Sequence, residues 1–129
     1  MKVLIIDPIF SSVSAKLSDD YEVGILLDRF DMWRSKYKIA IILIHHTRIP
    51  EHLEGETFHY GTDEMFGSSR FPRWLDTIVF VDKVNDDLRT QLVTLELTFE
   101  KSRHTEEKLK PIQVTANRND LTFKGREVI

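Results

Sequence analysis

Two short aliphatic runs constrain this fold more than any other feature. Lys2 to Ile6 reads KVLII and Ile39 to Ile44 reads IAIILI. An uninterrupted apolar run of this length suits a strand buried on both faces, as in a parallel sheet. The first run ends at Asp7-Pro8 and the second at His45-His46. Between them lies a serine-rich stretch over 8–18, then a segment whose apolar positions Val23, Leu26, Leu27, Phe30, Trp33 and Tyr37 recur at three- and four-residue spacing. That period predicts an amphipathic helix over about Asp20 to Tyr37. Asp19, with Glu22 three residues later, resembles a capping box. Lys36 and Lys38 at the far end complement the helix dipole. Strand, helix and strand make a βαβ unit.

The stretch from Thr47 to Met65 is polar, carries Pro50, Gly55 and Gly61, and shows neither period. Loops of this length in compact domains are usually functional or mobile. A short helix is expected within Gly67 to Leu75, kept brief by Pro72. Thr77 to Val81 reads as a third buried strand. Gln91 to Lys101 alternates well enough to predict a half-exposed antiparallel strand. Ile112 to Ala116 and Leu121 to Phe123 are further strands, joined by Asn117-Arg118-Asn119-Asp120, which has hairpin-turn composition. The expected fold is α/β, with a mostly parallel sheet, flanking helices and a C-terminal antiparallel extension. The 129 residues are enough for one domain with one core, taken as residues 1–129.

Composition removes several classes of function. With 41% hydrophobic and 30% charged residues the chain belongs among globular proteins, and neither aliphatic run could span a membrane. Cysteine is absent, which excludes thiolate nucleophiles and cysteine zinc sites and is compatible with a reducing, cytoplasmic setting. The formal charge of -3 signals no nucleic-acid partner through bulk electrostatics, so any DNA contact must come from a local patch.

Three constellations could carry chemistry. Asp7 ends a buried strand, the place where open α/β sheets put ligands. In P-loop enzymes such an aspartate holds magnesium, directly or through water. The plainer alternative is a strand followed by an Asp-Pro turn. His45 and His46 leave the next strand on opposite faces, so they cannot chelate one ion while extended. A hydrogen-bonding or phosphate-sensing role fits one of them, with a core histidine as the alternative. Lys101 and Arg103 share a face if the strand runs through them. Two such cations can clamp phosphate oxygens, or simply keep an edge strand soluble.

In order, these pieces run from the aliphatic strand with Asp7, through helix, strand with His45-His46-Thr47-Arg48, long loop, and Gly67-Ser68-Ser69 with Trp74-Leu75-Asp76, to a strand ending Lys101-Ser102-Arg103. That order resembles the second half of the RecA-like ATPase domain of recombinases and RepA-type hexameric replicative helicases. The likeness covers about Val3 to Phe123. It implies that Asp7 is the Walker B aspartate that supports magnesium. His46 would be the γ-phosphate sensor, or its neighbour His45 in its place. Thr47 to Phe66 would be the loop that meets single-stranded DNA, with Arg48, His52, His59, Tyr60 and Arg70 as contacts. Lys101 and Arg103 would be fingers that reach the nucleotide of the adjacent subunit in a homo-oligomer. ATP and magnesium are then cofactors of the full assembly, with none expected on this chain alone.

The departures are equally specific. No GxxxxGK[ST] occurs, so no nest of backbone N–H groups is present to cradle the β- and γ-phosphates. The catalytic glutamate of the family precedes the Walker B strand and is missing too. The DNA-facing loop carries Glu51, Glu54, Glu56, Asp63 and Glu64 in place of glycines. The expectation is a motor fragment inactive alone, with a catalytically dead assembly or regulatory module as the alternative. A metal-dependent hydrolase on Asp7, His45 and His46 is a third reading.

Overall fold

The computed structural model describes residues 2–46 and 67–128. The chain divides into two compact units, Met1–Trp74 and Leu75–Ile129.

The first unit contains the expected βαβ. Strand β1 (Lys2–Ile6) is followed by a helical turn, α1 (Ile9–Ser12), then α2 (Asp20–Tyr37) and β2 (Ile39–Leu43). β1 and β2 pair in parallel, Lys2 opposite Ile39 through Ile6 opposite Leu43. Helix α2 begins where expected, because the Asp19 carboxylate accepts from the N–H groups of Tyr21 and Glu22. The reciprocal half of a capping box does not form: Glu22 Oε2 accepts from the Lys16 N–H instead. Lys38, in the left-handed region at φ 52°, ends the helix. Val23, Leu26, Leu27 and Phe30 are buried as the period predicts, while Tyr37 is exposed. A last short helix, α3 (Arg70–Trp74), buries Phe71. It meets α2 through the indole N–H of Trp74, which donates to Asp31 Oδ2 at 3.0 Å, and through the tilted rings of Phe30 and Trp74.

One expectation fails here. β1 and β2 are not buried on both faces. Val3 is 47% exposed, Ile5 61% and Ile42 46%. Alternation along the strands puts these on one face, with Leu4, Ile6, Ile41 and Leu43 on the other and half-buried. Among the described residues of this unit the two strands carry one covering helix, which shields one face.

The second unit is a four-stranded antiparallel meander in the order β3 (Thr77–Asp87), β4 (Leu92–Ser102), β5 (Ile112–Asn117) and β6 (Thr122–Glu127). The described strands are therefore mostly antiparallel, not mostly parallel. Thr77 to Val81 is no third member of the parallel layer but the start of an eleven-residue strand. A tight turn decides this. The Asp87 carboxylate accepts from the N–H groups of Arg89 and Thr90, and Gln91 stands at φ 59°. The chain thus reverses within a few residues, and tight reversal permits only antiparallel pairing. The hairpin expected at Asn117–Asp120 forms, with the Asn117 and Asp120 side chains accepting from main-chain N–H groups two residues on. Ile78, Phe80 and Ala116 are the buried apolar residues of this unit.

Candidate functional site

The parallel register fixes what stands at the carboxyl end of the first unit. Ile6 lies beside Leu43, and the Ile44 N–H donates to the Ile6 carbonyl at 2.9 Å. One further step brings Asp7 level with Ile44, with His45 and His46 just beyond. Asp7 is exposed. It lines a groove of about 670 Å³ between β1 and α2 that also includes Ser12, Glu22, Arg29 and Trp33.

The two histidines differ. His46 is exposed, while His45 is half-buried with its ring edge-on to Phe71, centroids 5.8 Å apart. Nδ1 of His45 lies 2.7 Å from the His46 carbonyl oxygen. A carbonyl only accepts, so Nδ1 is the donor in this contact, which leaves Nε2 as the other ring nitrogen. That Nε2 is buried without a partner. His45 therefore holds the backbone at the strand end, and His46 is the one presented to solvent.

Arg70 opens α3, and its guanidinium lies against Gly24 of α2, where a Cβ would come within 2.6 Å of Nη1. Gly67-Ser68-Ser69 and Arg70 stand out in the sequence, but the resemblance assigns Ser68 no role in seating α3. Ser68 is buried; its hydroxyl donates to Asp20 and accepts from the Arg70 N–H at 3.1 Å, while its own N–H donates to the Leu17 carbonyl at 2.7 Å. A serine two residues before a helix is the local cue that could have found it. Gly67, at φ 124°, passes so close to the Leu17 carbonyl that a side chain would clash. Arg48, His52, His59 and Tyr60 lie outside the described residues.

In the second unit, β4 ends at Ser102 and Arg103 stands in the turn that follows, so the two cations do not share one continuous strand. They remain neighbours: burial first, and then repulsion from Arg103, lowers the pKa of the Lys101 ammonium. Arg103 is tied to Asp76 by an ion pair at 3.1 Å. Asp76 was not anticipated as its partner.

Magnesium fits this donor set in a limited way. A single open carboxylate is what that ion usually takes from protein, with water and phosphate oxygens supplying the rest. Among the described residues no group of three or more histidine or acidic side chains is placed to hold a metal. No helix among the described residues is long and apolar enough to cross a membrane. No protein-family model matches the chain, and comparison with curated proteins finds no match.

Proposed function

We propose that this chain is the C-terminal portion of a RecA-like P-loop ATPase core of the replicative-helicase or recombinase type. The observation that supports it most is the adjacency of Asp7 and His45-His46 at the carboxyl ends of two neighbouring parallel strands. That edge of an open α/β sheet is where ligands bind. In this reading Asp7 supports magnesium, which when bound neutralises charge on the nucleotide phosphates. His46 is free of the strand and senses the phosphate, and His45 fixes its backbone through the 2.7 Å contact. Lys101 and Arg103 act on the nucleotide of a neighbouring subunit in a homo-oligomer that handles single-stranded DNA. The phosphate cradle and the catalytic glutamate come from residues outside this sequence.

The test is made in an assembly that supplies a phosphate-binding loop. Asp7→Asn should lower ATP hydrolysis at least about a hundredfold and leave folding intact, because the lost group acts on metal and transition state. His46→Ala should uncouple hydrolysis from DNA binding. If Asp7→Asn hydrolyses at the wild-type rate, Asp7 is only the start of a turn. A non-catalytic assembly module then becomes the better account.

A further inference from the structure

We propose that Asp76 is a positioning residue for the Lys101–Arg103 pair, holding the guanidinium beside the ammonium so that both meet the oxygens of one phosphate chain. The ligand class rests on the finger reading above; the placement of the three side chains does not. The β3–β4 register carries it. Val79 pairs with Phe99 but Ile78 pairs with Lys101, so β4 holds one extra residue, Glu100. Strict alternation would put Lys101 and Arg103 on the face of Leu97 and Phe99. The bulge turns Lys101 off that face and onto the face of Ile78, as bulges beside functional sites commonly do. Thr77 pairs with Ser102, and the Arg103 N–H donates to the Asp76 carbonyl at 2.9 Å, so Asp76 and Arg103 form the next opposed pair. Opposed residues share a face, which brings Asp76 Oδ1 to 3.1 Å from Arg103 Nη1. Lys101 stands close enough to feel both charges: after burial, Arg103 lowers the pKa of its ammonium and Asp76 opposes that shift.

Two cations beside one carboxylate leave a local excess of positive charge, and a guanidinium with an ammonium suits phosphate oxygens. Asp76 acts on such a ligand in two opposite ways. Its negative charge repels the anion. Its grip on Nη1 helps the anion, because a long side chain that is already oriented has less rotamer freedom left to lose on binding. Charge and grip can therefore be separated by substitution. An asparagine at 76 drops the charge and keeps an oxygen that accepts from Nη1, while an alanine drops both.

The test is isothermal titration calorimetry of the full chain with inorganic tripolyphosphate at low ionic strength, where exposed charges are least screened. Wild type should bind, and Arg103→Ala should bind about tenfold more weakly or worse. Asp76→Asn should bind more tightly than wild type. Asp76→Ala should bind roughly three- to tenfold more weakly than Asp76→Asn, the cost of immobilising one long side chain. In an Arg103→Ala background the two substitutions should bind alike, which ties their difference to the guanidinium. Equal circular dichroism spectra and urea midpoints for Asp76→Asn and Asp76→Ala would exclude a folding defect as the source of the difference. Equal affinities for these two variants in the wild-type background overturn the proposal, as does a wild-type chain that binds no tripolyphosphate. Failure of the nucleotide reading shows elsewhere, as wild-type hydrolysis by Asp7→Asn, so the two failures are separable.

Discussion

Arg103 and Asp76 are joined twice. The guanidinium Nη1 lies 3.1 Å from Asp76 Oδ1, and the Arg103 N–H donates to the Asp76 carbonyl at 2.9 Å. The main-chain bond closes the end of the β3–β4 ladder, and the ion pair aims the guanidinium. Both side chains are over a third exposed, so the ion pair itself contributes little to stability. Asp76→Asn should shift the unfolding free energy by under about 1 kcal/mol. If the proposed finger role holds, Arg103→Ala in an assembly with a phosphate-binding loop should abolish hydrolysis and spare nucleotide binding. A trans-acting arginine is worth roughly 4 to 7 kcal/mol of transition-state stabilisation. Arg103→Lys should rescue poorly, since lysine lacks the planar fork. Wild-type turnover in either variant would remove the finger role.

Ser68→Ala should destabilise the first unit by about 1 to 2 kcal/mol. The hydroxyl serves two polar partners at once, Asp20 and the Arg70 N–H, and the residue is buried. Urea denaturation followed by tryptophan fluorescence would measure it, because Trp74 ends the short helix whose first N–H, that of Arg70, Ser68 holds. An unchanged midpoint would show that α3 is held by Phe71 and Trp74 alone.

Gly24→Ala should stabilise the chain by roughly 0.5 to 1 kcal/mol, the usual gain for replacing glycine within a helix. The new Cβ would meet only the end of the Arg70 side chain, which can swing aside. Thermal unfolding would show the rise. A fall would mean that Arg70 is held where it lies by more than packing on Gly24.

Asp82 gives a pH dependence with a defined sign. Burial first, and then the Glu96 charge directly across the ladder, raises its carboxyl pKa above 3.8. The folded state then binds the proton more tightly than the unfolded chain. Its contribution is fully present below pH 3.8 and is lost as pH rises through the folded value. Asp86 runs the other way: hydrogen bonds from Arg118 and Lys83 bring it down to about 2, so its contribution is lost as pH falls from 3.8 towards 2. Asp82→Asn should therefore gain stability relative to wild type as pH rises above 4. Denaturation midpoints for both proteins at several pH values between 3 and 7 would check it, and parallel curves would contradict it.

The sequence by itself determined the local elements. The 3.6-residue period gave α2 its limits and its buried stripe, Asp19 marked its start, and the two aliphatic runs became β1 and β2, paired in parallel. The turn at Asn117–Asp120 was equally legible, because side chains two residues from their partners encode it. Tertiary structure alone decided which strands met and which faces were covered. β3 joined β4 through the Asp87 turn, although its aliphatic start reads the same as β1. Ser68 reached Asp20 across 48 residues, and Arg103 reached Asp76 across 27. Periodicity reports the face a residue occupies within its own element. It carries no information about what lies opposite, so Val3 and Ile5 could read as core and yet stand exposed.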